Sequence, residues 1–165
     1  MLKAMTPRRV RAAGGRFAII GSKYNPRFAD ALVRSARAEL ERAGATVEIV
    51  RVPGAFEIPV VAARLARREI APFDALICLG VVIRGETAHA DLIGRAVTDA
   101  LVRLQMECGL PVIHEVLLLD NEEQARARCL PSGHNRGHEA AQTALEMVKL
   151  MRRLGAASLS SPITA

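Results

Sequence analysis

The feature that most constrains the fold of this chain is a continuous apolar segment, Ala75–Ile83, which carries no charged side chain. A strand with one face in water alternates apolar and polar residues, whereas a strand buried on both faces is apolar throughout. No uncharged apolar run in the chain approaches the ~18 residues that a membrane-spanning helix needs. The segment therefore predicts a central strand of a parallel sheet that helices cover on both faces.

The segments around this strand alternate between strand-like and helix-like patterns. Strands are predicted at 17–21, 46–52, 75–83 and 111–119, and helices at 27–43, 57–69, 87–108, 121–129 and 138–154. Such alternation builds parallel sheets with helices on both faces. We predict an α/β fold, a flavodoxin-like three-layer α/β/α sandwich with a four-stranded parallel sheet. This single domain spans 16–154, between a flexible basic N-terminal segment at 1–15 and a frayed C-terminal tail at 155–165.

The formal net charge of +6 raises the question of a nucleic-acid or membrane partner. Residues 1–16 carry five basic side chains and no acid, but the other arginines are spread over helix faces and partly balanced by glutamates. No basic stripe interleaved with aromatic residues is present. We therefore expect neither nucleic acid nor a membrane as a partner.

The cysteines and histidines do not form the patterns of a metal site. Cys78, Cys108 and Cys129 form no CxxC pair, and an odd number of widely spaced cysteines favours a reducing compartment. His134 and His138 have a helix-breaking glycine between them and no third ligand, so we predict no metal. Because the N-terminus lacks the apolar segment of a secretory signal, we predict a cytoplasmic location.

The predicted sheet indicates where a ligand would bind. In doubly wound sheets, ligands bind in the crevice outside the carboxyl ends of the strands. This rule selects the segments 21–25, 53–57, 80–89 and 118–120. We therefore expect the functional residues to lie in these loops and at the helix starts that follow them.

The segment 80–89 ends a buried strand and begins a helix. The N–H groups of a helix's first turn have no internal partners and form an anion site, which would suit a phosphate on a small substrate. A plain strand-to-helix turn with Thr87 as N-cap explains the segment equally well. His89 could transfer protons near neutral pH beside this turn, or could be an ordinary histidine of the surface or core.

Three other residues each have a functional and a structural interpretation. Tyr24, the only tyrosine, could stack on a planar heterocycle or pack at the rim of the sheet. Glu57 could accept hydrogen bonds from a polyol or cap its own helix. Arg128 could bind a phosphate or be one of several solvated arginines. The residues alone leave these alternatives open.

Four motifs together resemble the lumazine synthase family. They are Val-Pro-Gly-Ala-Phe-Glu-Ile-Pro at 52–59, Gly-Val-Val-Ile-Arg-Gly-Glu-Thr-Ala-His at 80–89, Asp-Asn-Glu-Glu-Gln-Ala at 120–125 and Asn-Arg-Gly-His-Glu-Ala-Ala at 135–141. The resemblance covers about 16–151, in order and with nearly unbroken spacing. It implies a transferase of riboflavin biosynthesis that joins 5-amino-6-(D-ribitylamino)uracil to 3,4-dihydroxy-2-butanone 4-phosphate and needs no metal or other cofactor.

The resemblance also implies a role for each candidate residue. His89 would transfer protons, and Tyr24 would stack on the pyrimidine ring. The residues that would hold the pyrimidine and its ribityl chain are Tyr24, Asn25, Ala55, Phe56, Glu57, Val81, Val82, Ile83 and His114. The residues that would hold the phosphate of the ketose are Gly85, Glu86, Thr87 and Arg128.

Some positions depart from the family pattern. His114 stands where the family usually has a phenylalanine that a neighbouring subunit contributes to the pocket, and Arg136 replaces a usual lysine. The resemblance implies a homopentamer with its sites at subunit interfaces. The loop 130–134 lacks the glycine and lysine pattern of shell-forming members, so a decamer or a sixty-subunit shell is left open.

Two other functions match parts of the sequence. One is a non-catalytic paralogue that binds flavin or lumazine, for which His114 would be the mark of divergence. The other is a receiver-like signalling module on the same fold. The first strand, however, is followed by Gly-Ser-Lys-Tyr-Asn at 21–25, which lacks the acidic pair that a phosphoacceptor site needs.

Overall fold

The computed structural model describes residues 14–131 and 134–159, which form four strands and five α-helices. The strands are β1 (Arg16–Ser22), β2 (Thr46–Val52), β3 (Ala75–Ile83) and β4 (Val112–Leu119). The helices are α1 (Pro26–Arg42), α2 (Ile58–Ala66), α3 (His89–Cys108), α4 (Glu122–Cys129) and α5 (Arg136–Leu159), and a 3-10 turn, Ala55–Glu57, precedes α2. None of the helices in the described part of the chain is long and apolar enough to cross a membrane.

The four strands form one parallel sheet in the order β2-β1-β3-β4. Strands β1 and β3 are central, and the β3–β4 pairing runs from Leu76 beside Val112 to Ile83 beside Leu119. This confirms the predicted parallel sheet. Because all four strands run in the same direction, their carboxyl ends lie at one edge of the sheet, which is the edge where we predicted a ligand to bind.

Helices cover both faces of the sheet. Neighbouring residues of a strand point to opposite faces, so Phe17 and Ile19 pack towards α1, α4 and α5, whereas Ala18 and Ile20 pack towards α2 and α3. The side chains of β3 from Ala75 to Leu79 are fully buried. The fold is therefore a flavodoxin-like three-layer α/β/α sandwich, as predicted.

Helices α1 and α5 pack closely because one of them carries a glycine at the contact. A Cβ atom built on Gly137 would overlap the backbone of Leu32 in α1. Just before it, the buried Asn135 caps α5, since its Oδ1 accepts a hydrogen bond of 2.8 Å from the Gly137 N–H. The Asn135 amide also donates to the carbonyl of Cys129, which joins the start of α5 to the end of α4.

The structure corrects several predicted element boundaries. Helix α2 ends at Ala66 rather than at residue 69, and the chain then reaches Ala71 in a left-handed conformation (φ 53°) before Pro72, which disfavours a continuing helix. Helix α3 begins at His89 rather than at residue 87. Helix α5 continues to Leu159, five residues beyond the predicted end at 154, through alanines that favour a helix.

The predicted terminal segments are only partly described. Of the basic segment 1–15, Gly14 and Gly15 are described and lead into β1, whereas 1–13 lie outside the described residues. The first five residues of the tail predicted to fray belong to α5, and 160–165 lie outside the described residues.

Candidate active site

A cavity of about 820 Å³ lies at the carboxyl edge of the sheet. The loops after β1 and β2, the end of β3 and the first turns of α3 enclose it. Its lining is largely apolar, with the Glu57 carboxylate and the His89 imidazole as the groups able to carry charge. A site of this size, with a few polar groups on apolar walls, fits a small organic ligand.

Most residues predicted for the pyrimidine half of the site line this cavity. The predicted residues in the lining are Tyr24, Asn25, Ala55, Phe56, Glu57, Val81, Val82, Ile83 and His89. Four lining residues were not predicted, Gly54, Leu92, Ile93 and Ala96. The last three could have been found from His89, because residues three, four and seven positions further along a helix share its face.

Two exposed aromatic rings stand at the cavity. Tyr24 is 71% exposed and Phe56 is 61% exposed, which is unusual for such large apolar groups. The Tyr24 ring lies against Gly54, where a built Cβ atom would come within 3.1 Å of the ring carbon Cδ2. Gly54 thus provides the space in which the ring rests, and both rings present their surface to a ligand.

The loop that carries Tyr24 is fastened to its neighbours by backbone and side-chain hydrogen bonds. The Lys23 N–H donates to the carbonyl of Val52 at 2.8 Å, which joins the ends of β1 and β2. Asn25 has a left-handed backbone (φ 52°), and its side-chain amide donates to the carbonyl of Val81 at 2.8 Å. Asn25 therefore holds the β1 loop against the end of β3 while it lines the cavity.

Glu57 has the capping role that was one of its two interpretations. Its Oε2 accepts a hydrogen bond of 2.8 Å from the Gly54 N–H and closes the 3-10 turn. A carboxylate accepts hydrogen bonds through both oxygens, so capping is compatible with binding a hydroxyl in the cavity. The Gly54 N–H fixes where the carboxylate lies.

The loop between β3 and α3 is exposed from Arg84 to His89. Ala88 is the N-cap of α3 and makes no side-chain capping bond, so the interpretation of Thr87 as N-cap is wrong. The Thr87 hydroxyl lies 3.5 Å from the backbone nitrogen of His89, which is too far for a strong hydrogen bond. Gly85, Glu86 and Thr87 lie next to the cavity in sequence but not in its lining.

His114 and Arg128 do not line the cavity of their own chain. The His114 Nε2 lies 2.9 Å from the Thr98 hydroxyl on α3, which itself donates to the carbonyl of Gly94 at 2.8 Å. Because the Thr98 hydroxyl uses its one hydrogen in the bond to Gly94, the His114 Nε2 is the donor in their contact. The His114 Nδ1 accepts from the Val116 N–H at 3.4 Å. These contacts hold a neutral imidazole, and burial lowers the pKa of His114.

Arg128 is exposed near the end of α4. That helix is anchored by Ala125 and Cys129, which are buried in the core on the α1 and α5 side of the sheet. Burial also raises the pKa of the Cys129 thiol to about 11. The predicted phosphate-binding arginine therefore stands on a fixed helix but outside the cavity.

Metal-binding side chains do not cluster in the part of the chain that the structure describes. Within 14–131 and 134–159, no group of three or more His, Cys, Asp or Glu side chains could hold a metal ion. The His138 Nδ1 lies 3.3 Å from Oε2 of the buried Glu39, and desolvation together with the nearby Arg42 lowers the pKa of His138. His138 therefore belongs to the contact between α1 and α5.

A family assignment follows from comparison with known sequences. The sequence model described as 6,7-dimethyl-8-ribityllumazine synthase matches residues 14–152, which is most of the chain and includes all of the cavity lining. The chain belongs to this lumazine synthase family.

Curated relatives agree with this assignment. The chain is 43% identical over 142 residues to the 6,7-dimethyl-8-ribityllumazine synthase of Stenotrophomonas maltophilia (strain R551-3), which covers 84% of this chain and 90% of the relative. It is 41% identical over 148 residues to the enzyme of the same name from Xanthomonas oryzae pv. oryzae (strain PXO99A), covering 88% and 95%. The similarity to lumazine synthases is therefore not confined to the four motifs, and it extends over most of this chain and of each relative.

Proposed function

We propose that this chain is a lumazine synthase that condenses 5-amino-6-(D-ribitylamino)uracil with 3,4-dihydroxy-2-butanone 4-phosphate. The products would be 6,7-dimethyl-8-ribityllumazine, phosphate and water. The observation that carries the proposal is the cavity at the carboxyl edge of the sheet, which contains nine residues that the family resemblance nominates. The names of the relatives support the same reaction.

The cavity offers complementary groups for the pyrimidine substrate. The exposed rings of Tyr24 and Phe56 present apolar faces on which a planar heterocycle can stack. Glu57, held by Gly54, is the carboxylate to which ribityl hydroxyls would donate hydrogen bonds. Val81, Val82 and Ile83 would contact the ring through the backbone of β3.

The second substrate would place its phosphate at the start of α3. The first N–H groups of a helix have no partners within the helix, and the helix dipole favours negative charge there. Gly85, Glu86 and Thr87 precede this helix, and we propose that their backbone N–H groups add to its first N–H groups while Arg128 supplies positive charge. His89, the first residue of α3 and part of the lining, would then lie between the two substrates.

The reaction needs few chemical groups from the protein. The ketose carbonyl and the 5-amino group would form an imine and release water. Loss of the C3 proton would then expel phosphate from C4 and leave an enol, which tautomerises so that the former C3 hydroxyl becomes a carbonyl. Attack by the ribitylamino nitrogen on this new carbonyl would close the ring with loss of a second water. Holding both molecules together supplies much of the acceleration, and His89 would move protons between them. No metal or organic cofactor takes part in these steps.

We propose further that the enzyme is a homopentamer whose sites lie at subunit interfaces. Two observations support this. His114 and Arg128 lie outside the cavity of their own chain, which suits residues that serve a neighbouring copy. Large apolar side chains are also exposed on α2 and α3, namely Val60, Leu92, Val102 and Met106. Sedimentation velocity tests the assembly, including the decamer and the sixty-subunit shell, and a monomer would contradict the proposal.

A cytoplasmic location remains a prediction. The three cysteines of the chain are free thiols, which agrees with a reducing compartment. Burial raises the pKa of Cys78 to about 12, so this thiol stays protonated and inert at physiological pH. Fractionation of the native host cell with an antibody against the chain would test the location.

Turnover is the direct test of the proposed reaction. The purified chain is mixed with both substrates, and lumazine formation is followed by absorbance. A rate no greater than that of the spontaneous reaction would refute the proposal and leave the non-catalytic paralogue as the better description. Riboflavin or lumazine binding, measured by fluorescence quenching, would then test that alternative.

Arg128→Ala tests the assignment of the phosphate. We expect the KM for the ketose phosphate to rise about tenfold or more, because a charge-assisted contact to phosphate is lost, with a smaller change for the pyrimidine. The matched control is Arg126→Ala on the same helix, which removes an exposed arginine paired with Glu122 at 3.1 Å. Equal losses for both substrates would contradict the role of Arg128.

A further inference from the structure

The loop between β3 and α3 is connected to two other elements by one arginine. The Arg84 Nη1 lies 2.6 Å from the Asp91 carboxylate, and its Nε donates to the Asp120 carboxylate at 3.1 Å. The Arg84 N–H also donates to the carbonyl of Leu119 at 2.7 Å, which extends the β3–β4 pairing by one step. Arg84 is thus fixed by its backbone and by both ends of its guanidinium.

Each carboxylate lies in, or is hydrogen-bonded to, a helix that carries a proposed site residue. Asp91 is in the first turn of α3, two positions after His89. Asp120 follows β4 and is joined to α4, because Gln124 donates from Nε2 to its carboxylate at 3.1 Å and accepts its N–H at 3.0 Å. Helix α4 carries Arg128 one turn beyond Gln124. One guanidinium therefore links the loop 85–87, the start of α3 and the start of α4.

Arg84 could instead bind the phosphate directly, since an arginine beside an anion site is a natural ligand. The charges argue against this. Two carboxylates already bind the guanidinium through its Nη1 and Nε atoms, so its charge is compensated and these donors are not free for a phosphate. The guanidinium is arranged to hold protein carboxylates.

We propose that Arg84 is a positioning residue for the ketose-phosphate half of the site. It holds the loop 85–87 in place between the starts of α3 and α4, so that backbone N–H groups, His89 and Arg128 keep their places without Arg84 touching the substrate. The inference rests on the proposed function, and it deepens that proposal by naming what orders its phosphate loop.

Kinetics of Arg84→Gln test this role. We expect the KM for the ketose phosphate to rise about fivefold, as expected for two partly exposed ion pairs, with a change below about twofold for the pyrimidine. Arg84→Lys should recover part of the loss, because it keeps the charge but can reach only one carboxylate well. The matched control is Arg37→Gln, which removes an exposed arginine paired with Glu41 on α1, far from the cavity.

Asp120→Asn separates positioning from direct binding, because the two roles predict opposite signs. If Arg84 positions the loop, weakening its anchor raises the KM for the ketose phosphate by about twofold to threefold. If Arg84 binds phosphate, removing a competing negative charge lowers that KM. The double variant Arg84→Gln, Asp120→Asn should be no worse than Arg84→Gln alone, since both changes break one contact. A lowered KM for Asp120→Asn, or additive losses, would overturn the inference.

Hydrogen exchange gives a readout that does not depend on turnover. In the full chain without substrates, Arg84→Gln should speed exchange of the amides at 85–88 about tenfold relative to wild type, and Arg37→Gln should not. Unchanged exchange in this loop would overturn the positioning role even if activity falls. An inactive wild-type protein would refute the proposed reaction, while the exchange experiment would still decide whether Arg84 orders the loop.

Discussion

Gly54→Ala is the sharpest test of how the cavity holds the pyrimidine substrate. A Cβ atom at this position would lie 2.8 Å from the Glu57 Oε2 and 3.1 Å from the Tyr24 Cδ2. Gly54 has an extended backbone (φ −130°, ψ 178°), so alanine fits the main chain without strain. The substitution therefore acts on two proposed substrate-binding groups and on little else.

The expected magnitudes follow from these distances. Carbon atoms pack at about 3.5–4.0 Å, so the carboxylate and the ring must each move by roughly 0.5–1 Å. That movement stretches the 2.8 Å hydrogen bond from the Gly54 N–H to Glu57, a loss of about 1 kcal/mol. Alanine also restricts the unfolded chain, which returns about 0.4–1 kcal/mol. The free energy of unfolding should change by no more than about 1 kcal/mol, whereas a 1 Å misplacement at a site can cost about 100-fold in rate.

The assay compares folding and turnover in the same preparation. We expect the melting temperature to shift by no more than about 2–4 °C, and kcat/KM for the pyrimidine to fall about 10- to 100-fold. The control is Gly155→Ala, the same substitution in α5 with no atom within 4 Å of the new Cβ, which should leave kcat/KM unchanged. Wild-type kcat/KM for the pyrimidine in a folded Gly54→Ala protein would refute the reasoning, because neither group could then matter for binding.

Three other predictions follow from the structure. Gly137→Ala should lower the free energy of unfolding by about 3 kcal/mol in urea denaturation, because its Cβ would lie 2.8 Å from the Leu32 Cα and force α1 and α5 apart; a loss below about 1 kcal/mol would contradict this contact. Burial lowers the pKa of His114, so the folded protein binds a proton at this residue less readily than the unfolded chain does. The neutral imidazole therefore contributes its full stability above the ordinary histidine pKa of about 6.5, and this contribution is lost as pH falls through the lower pKa of the folded protein. His114→Phe should therefore flatten the decline of stability between about pH 6.5 and the folded pKa of His114, by less than about 1.4 kcal/mol per pH unit, and an unchanged slope in that range would contradict the lowered pKa. His89→Ala should reduce kcat about 100-fold while leaving it above the spontaneous rate, and a variant as fast as wild type at every pH would make the histidine structural.

The fold was predictable because its strongest signals are local. The uninterrupted apolar run of β3 can be satisfied only by burial on both faces, and the helix-like segments on either side supply the cover. Helix ends were less predictable, since they depend on contacts that form only in the folded chain. Asn135 begins α5 by a side-chain cap whose other bond reaches the end of α4, and no local pattern contains both.

Much of the cavity lining was predictable from the sequence, but its arrangement was not, and five predicted site residues lie outside the lining. The family resemblance nominated Glu57 and Asn25. It did not indicate that Glu57 would cap Gly54 or that Asn25 would adopt a left-handed conformation and bind Val81. Leu92 lies on the same helical face as His89, yet its place in the lining depends on where α3 sits over the sheet. The orientation of the His114 side chain on β4 depends on its contact with Thr98 on α3, so the position of His114 in the sequence could not predict that orientation.

The cavity combines exposed aromatic rings with polar side chains that are tied to the backbone. The groups proposed to touch substrate, including Tyr24, Phe56 and His89, are exposed and have few partners of their own. Their polar neighbours in the lining are tied to the backbone, Asn25 to Val81 and Glu57 to Gly54, and Arg84 beyond the lining is tied to Leu119. An exposed ring costs the fold hydrophobic burial that only a ligand or a second subunit can restore. The same rings that leave the free chain incompletely buried therefore provide apolar area for binding, while the backbone ties limit the entropy that binding must remove.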